Sequence, residues 1–254
     1  SNLLITWIKN YYMKANPDKF HLLLNVSDTS LSVDVDNFAV FNEKAVKLLC
    51  IKIVNKLSFD KHVTKLCKKA SQKLHALTRV AHYMDLSQKR KVMKAFINSQ
   101  FGYCPLIWML HSRQLNNRIN RLHERSLRVV YGDTTSSFAE LLNKDKAMTI
   151  HERNIQILAI ELFKVINGDS PAIMKEVFKV KDDLKYCSKF PFATSNVRTT
   201  RFGTHSLGHL GPKIWAIVPD ELKILTNVND FKKRIKNWKP TKCPCRLCKN
   251  YVSG

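Results

Sequence analysis

A stretch that is apolar around most of a helix's girth constrains this chain more than any other feature. Thr149-Ile150-His151-Glu152 fits a capping box, in which the threonine and the glutamate satisfy each other's backbone donors. Beyond it, Ile155, Leu158, Leu162 and Val165 recur in steps of three and four, and Ile157, Ile160 and Phe163 widen that face until little polar surface is left. Asn167-Gly168 and then Pro171 end the segment. A helix of this kind is expected at the centre of a helical bundle, covered on all sides by other elements.

The neighbouring sequence supplies covers. Residues 59–180 read as helical throughout. Val63, Leu66, Cys67, Ala70, Leu74, Leu77, Ala81 and Met84 share one face of a long first helix, with Lys61, Lys65, Lys68, Lys69 and Lys73 mostly off that face. Ser87 is the expected N-cap of a second helix, with Val92, Phe96 and Ile97 inside. Tyr103-Cys104-Pro105 breaks it, and residues 106–110 look buried. A third helix turns Leu115, Ile119, Leu122, Ser126 and Val129 inward and is expected to end at Gly132. Ser137-Phe138-Ala139-Glu140 starts another with a capping box. Residues 1–55 read as α+β: a short amphipathic helix (Leu3, Leu4, Trp7, Ile8, Tyr11), a turn at Asn16-Pro17-Asp18, an apolar strand at residues 20–24, a polar short-stranded stretch from Ser27 to Glu43, and a β-rich run over 46–53. From Lys181 onward Gly, Ser, Thr and Pro become frequent, and helical periodicity fades until Val228. Phe231, Ile235 and Trp238 then mark a short amphipathic helix. The expected fold is mainly α in three parts: an α+β region over 1–55, a basic helical region over 56–180 and a loop-rich region over 181–254.

Charge bears on partners. Among 254 residues there are 43 Lys+Arg and 20 Asp+Glu, a net charge of +23. Residues 56–131 hold sixteen of the cations and only three acids (Asp60, Asp85, Glu124). A surface this basic draws phosphate polymers through counterion release. An anionic membrane surface, or a basic protein with no polyanion partner, are the blander readings. Arg118, Arg121, Arg125 and Arg128 fall three, four and three residues apart, on one helix face roughly 100° from the apolar face. Four guanidinium groups in a row suit a phosphate backbone, and Glu124 is the one acid in that helix that could pair with them. Tyr103, Trp108 and Tyr131 are near enough in sequence to stack bases, although core packing suits Trp108 better.

The order of segments from residue 1 to 84 resembles a known family. The first helix, Asn16-Pro17-Asp18-Lys19, the run Leu48-Leu49-Cys50-Ile51 and the passage through Leu57-Ser58-Phe59-Asp60 into a long basic helix resemble the palm-to-thumb passage of reverse transcriptases from non-LTR retrotransposons of the jockey-like and CR-type groups. Residues 204–215 and 231–238 resemble the C-terminal region of the same elements. The resemblance implies an end of palm, a thumb and a C-terminal region. It also implies that the paired metal-binding aspartates, with the Mg of the full enzyme, lie upstream of Ser1. A chain that starts with Ser1 reads as a fragment or a processed product. Lys19 would be the general acid of the full enzyme, although a solvated turn lysine fits this chain better. Leu49 and Cys50 would stand in the primer-gripping hairpin, where relatives have Gly in place of Cys50; a buried strand with a small residue is the alternative. Lys65, Lys68, Lys69, Lys73 and the four arginines would then hold RNA or DNA. The resemblance implies no catalysis by this chain alone. A standalone nucleic-acid-binding protein derived from such an element, or a non-binding helical scaffold, are the other readings.

Seven cysteines without a disulfide framework point to a reducing compartment, nucleus or cytosol. Cys243, Cys245 and Cys248 have a spacing that can hold three positions of a zinc site, with Cys187, His205 or His209 as the fourth. The other histidines look isolated. Asp182-Asp183 reads as a surface loop, and Asp34 and Asp36 sit on an expected strand without a third carboxylate. No run of about 18 apolar residues suggests a membrane span, and no Walker A, HExxH or GxSxG pattern occurs.

Overall fold

The structure, a computed structural model, describes residues 2–14, 16–24, 30–35, 38–181, 191–193, 196–199, 203–204, 206–240 and 243–245. It is mainly helical, with two small antiparallel sheets. It divides into two compact units, residues 1–65 and 66–254.

The first unit opens with α1 (Asn2–Asn10) and a single 3-10 turn at Pro17–Lys19. The apolar segment at 20–24 is not a strand. It makes one isolated bridge, Leu22 to Asn42, and the Asn42 side-chain oxygen accepts the Leu24 N–H at 2.8 Å. Two hairpins follow. β1 (Ser32–Val35) pairs with β2 (Phe38–Phe41), Ser32 facing Phe41 and Val35 facing Phe38. β3 (Ala45–Leu48) pairs with β4 (Ile51–Val54), Ala45 facing Val54 and Leu48 facing Ile51. Asp34 lies on β1; Asp36 lies outside the described residues.

α2 (Asp60–Val80) begins in the first unit and continues into the second. Of its expected inward face, Val63, Cys67, Ala70, Leu74 and Leu77 are buried and Leu66 is half-buried; the helix stops at Val80, so Ala81, on a 3-10 turn, and the extended Met84 lie beyond it and are half-buried. α3 (Leu86–Val92) is capped by Asp85, not Ser87. The Gln88 N–H donates to Asp85 Oδ1 at 2.8 Å and the Asp85 N–H to Gln88 Oε1 at 3.0 Å, so a carboxylate and an amide satisfy two donors that one hydroxyl cannot. After α3 the chain widens into a π turn, Met93–Ile97, in which the Asn98 N–H reaches back to the Met93 carbonyl. The extra residue rotates the register. Met93 and Ile97 are buried, while Phe96, expected inside, is exposed.

α4 (Pro105–Trp108) follows Cys104, whose left-handed backbone makes the break. Trp108 and Met109 are buried, but Ile107 in the same apolar run is exposed. α5 (Arg113–Tyr131) starts at the Ser112 cap and stops at Gly132, whose φ of 62° is the left-handed conformation that glycine adopts at least cost. α6 (Phe138–Asp145) and α7 (Ile150–Asn167) start at the expected capping boxes, Ser137 with Glu140 and Thr149 with Glu152. α3, α5 and α6 meet at Asp145. This buried carboxylate accepts from Arg90 Nε at 2.6 Å and from the Tyr131 hydroxyl at 2.8 Å, and its backbone carbonyl accepts from Arg90 Nη2 at 3.1 Å.

α7 is central. Ile155, Leu158, Ala159, Leu162, Phe163 and Val165 are buried in one core that α4, α5, α8 (Ile173–Phe178), α9 (Leu207–Ile217) and α11 (Val228–Arg234) help cover. α9, together with the short α10 (Asp220–Lys223), occupies a region where no helix was expected. Gly208, Gly211 and Pro212 hide α9 in the sequence. The two glycines do not serve turns: a Cβ on Gly208 would lie 2.6 Å from the Val177 carbonyl oxygen, and one on Gly211 2.7 Å from the Phe178 ring. They let α9 approach α8 closely. Phe231 stacks on Phe163 with ring centroids 4.2 Å apart, and Ile235 is buried beside it, as the short amphipathic helix required.

Two outcomes follow from this packing. Gly211→Ala drives a methyl into the Phe178 ring and should cost roughly 1–3 kcal/mol in urea denaturation; an unchanged midpoint contradicts the close approach. His123 is buried edge-on against Phe138, and neither ring nitrogen has a partner among the described residues. Burial, then the Arg153 charge, pulls its pKa down to about 4, with Asp145 opposing. The unfolded imidazole takes a proton near its ordinary value, so this contribution is complete above pH 6.5 and is lost as pH falls toward 4. Stability should drop by about 3 kcal/mol across that window, and His123→Leu should remove most of the drop in a pH series of melts.

Candidate functional site

The basic face is built on α5. Burying Ile119, Leu122, Ser126, Leu127 and Val130 turns Arg118, Arg121 and Arg125 to solvent, and all three are exposed. Among the described residues no carboxylate pairs with any of them. Arg128 differs from the expectation. It is half-buried, its Nη2 lies 2.7 Å from Glu124 Oε1, and its Nη1 donates to the Asp133 carbonyl at 3.4 Å. The single acid of this helix, four residues before Arg128, neutralises it, so the stripe available to an anion is three arginines long. Arg118 lies close enough to Cys67 for its charge to oppose the rise of that thiol, which burial pushes up to about 11. The stripe therefore begins beside α2, where Lys68 and Lys69 are exposed and Lys73 is half-buried with its ammonium 5.8 Å from the Phe96 ring. Lys65, in the first unit, is also exposed.

The aromatics divide. Trp108 is buried and its indole N–H donates to the Tyr103 carbonyl at 2.9 Å, so it is a core residue. Tyr131 is engaged with Asp145 and lies 5.1 Å under the Lys144 ammonium. Tyr103 is exposed.

A second cluster lies at the other end of the chain. His151 on the first turn of α7, Cys243 and Cys245 bring their ligand atoms within 4.8 Å of one another, all buried. His151 Nε2 is 3.0 Å from Cys245 Sγ and 4.0 Å from Cys243 Sγ. It is the only group of three or more His, Cys, Asp or Glu among the described residues placed to hold a metal ion. The sequence marked the two cysteines but missed His151, which stands 92 residues before Cys243; its place inside the capping box Thr149–Glu152 gave no local signal of a ligand. His209 is not in this group. Its Nε2 is 2.8 Å from the Lys213 ammonium. Cys187, His205, Cys248 and the Asp182-Asp183 pair lie outside the described residues.

Lys19 is exposed on its 3-10 turn. Leu49 and Cys50 form the exposed two-residue turn between β3 and β4, not a buried strand, and both take left-handed φ, 44° and 68°. No helix among the described residues is long and apolar enough to cross a membrane.

Compared with protein-family models, with curated proteins and with solved structures, the chain has no match in any of the three.

The turn yields a direct test. A two-residue hairpin loop with both residues at positive φ favours glycine, so Cys50→Gly should stabilise the β3–β4 hairpin by about 0.5–1 kcal/mol. Slower amide exchange across Leu48 and Ile51 would report it, and faster exchange would contradict the turn geometry.

Proposed function

We propose that this chain is the C-terminal part of an RNA-directed DNA polymerase of the non-LTR retrotransposon type, and that its helical region grips the sugar-phosphate backbone of a template–primer or target duplex. The observation that carries the binding half of this reading is the row of Arg118, Arg121 and Arg125, exposed on one face of α5 without a carboxylate partner among the described residues. Unpaired cations in a row repel one another, and a polyanion relieves that repulsion. The segment order described above supports the polymerase half. In this reading, phosphates are held by Arg118, Arg121 and Arg125, with Lys68, Lys69 and Lys73 of α2 as further cations of the second unit. Contacts of this kind position the nucleic acid and carry no base specificity. Nucleotidyl transfer by two metal ions belongs to carboxylates of the full enzyme, and Lys19 acts as proton donor only in that context. Alone, the chain binds and does not polymerise. The same reading assigns zinc to the cluster of His151, Cys243 and Cys245, because thiolate and imidazole donors suit that ion.

The test is charge reversal on the face. Arg121→Glu with Arg125→Glu should weaken binding of a fluorescent duplex at least several-fold at about 0.1 M salt and reduce the salt slope by about 2. Arg128→Gln, at a position already neutralised by Glu124, should have a much smaller effect. Equal affinity of the double variant and the parent chain would remove the role assigned to the stripe.

A further inference from the structure

The C-terminal tail runs antiparallel along α7 and touches it at three successive levels. At the far end Phe231 stacks on Phe163. In the middle the Gln156 side-chain N–H₂ donates to the carbonyls of Ile235 at 2.8 Å and Trp238 at 2.7 Å, with Lys236 at 3.4 Å. At the start of the helix His151 meets Cys243 and Cys245. At 1.5 Å rise per residue, the levels at 163, 156 and 151 are about 10 and 8 Å apart. The last contact is of a different kind from the other two. One imidazole and two thiols, 92 and 94 residues apart along the chain, converge in a buried site with no carboxylate among them.

The geometry points to a structural metal clamp: a zinc-type divalent ion bound by His151 Nε2, Cys243 Sγ and Cys245 Sγ, which locks the end of the tail onto the N-terminal turn of α7. The inference rests on the zinc reading given above and adds to it a folding role.

Tetrahedral zinc with its usual bond lengths sets donor atoms roughly 3.6–3.8 Å apart. The observed 3.0 and 4.0 Å lie on either side of that value, so small side-chain rotations suffice. Charge also favours the ion. Burying two like-charged thiolates side by side is costly; a divalent cation with two thiolates and a neutral imidazole is neutral as a whole. Binding releases the two thiol protons to solvent and transfers no electrons. The position of the site helps further, since the first turn of an 18-residue helix favours nearby negative charge. Nε2 is the ring nitrogen that faces both sulfurs, at 3.0 and 4.0 Å, so it is the donor that a metal would take. Water or another donor of the chain completes the fourth position. Both cysteines belong to the same core as Ile155, Leu158 and Trp215, so tightening this corner tightens the cover over α7.

The experiment uses the full chain, purified and reconstituted with zinc, beside a variant carrying Cys243→Ser and Cys245→Ser. Metal content after gel filtration and thermal melting with and without chelator are read on both, and amide exchange is followed over Phe231–Trp238. One zinc per chain is expected, lost in the serine variant. Chelation should lower the melting temperature of the parent chain by about 5–10 °C, raise exchange over Phe231–Trp238 at least tenfold, and leave the variant unchanged. Cobalt in place of zinc should give a thiolate charge-transfer band in the parent only. A chain that takes up no zinc overturns the metal reading and the clamp together. Zinc bound equally by the serine variant overturns the site. Zinc lost in the variant, with the parent's melting and exchange indifferent to chelator, leaves the metal reading standing and overturns the clamp.

Discussion

The second unit depends on the need to cover α7 on every side. A helix with Ile155, Leu158, Ala159, Leu162, Phe163 and Val165 all buried has no solvent face of useful width. Water must be excluded by α4 and α5, by α8 and α9, and by α11 with the tail that follows it. Each cover is itself amphipathic, so the polar faces of the covers become the surface of the unit. The arginine stripe is a direct consequence. Once Ile119, Leu122, Ser126 and Leu127 of α5 are committed to the interior, the helical period leaves Arg118, Arg121 and Arg125 nowhere but outside.

The same packing explains which parts could be read from sequence. Local chemistry was legible: the capping boxes at Ser137 and Thr149, the glycine stop at Gly132, and the inward faces of α2 and α5 all follow from residues within one or two turns. Features set by distant partners were not. Gly208 and Gly211 read as loop residues because the reason for them, the Val177 backbone and the Phe178 ring, lies some thirty residues away. A 3.6-residue period puts Phe96 inside, and the π turn at Met93–Ile97 breaks that period. The strand expected over 20–24 found a single bridge partner.

The candidate sites divide along the same line. The stripe is a pattern on one helix and could be seen in advance, apart from the partnership of Arg128 with Glu124, which depends on side-chain reach. The cluster of His151, Cys243 and Cys245 joins a helix start to a tail. Its cysteines were visible by spacing, but the histidine becomes apparent only when the chain has folded back along α7. Two further contacts fix the helices of the second unit against one another. The Asp145 carboxylate, shared by Arg90 and Tyr131, fixes α3 and α6 against the C-terminal end of α5. The tail contacts with Gln156 do the same for α7. A rigid α5 keeps its three arginines at a constant spacing, which a regular phosphate backbone can use.

The most direct test of this account is the salt dependence of duplex binding by the unmodified chain. If Arg118, Arg121 and Arg125 each neutralise a phosphate, log K should fall linearly with log salt with a slope of about −3 or steeper, the lysines of α2 adding to it. An affinity that does not change with salt, or no binding at low salt, would contradict the proposal that this basic face holds a nucleic-acid backbone.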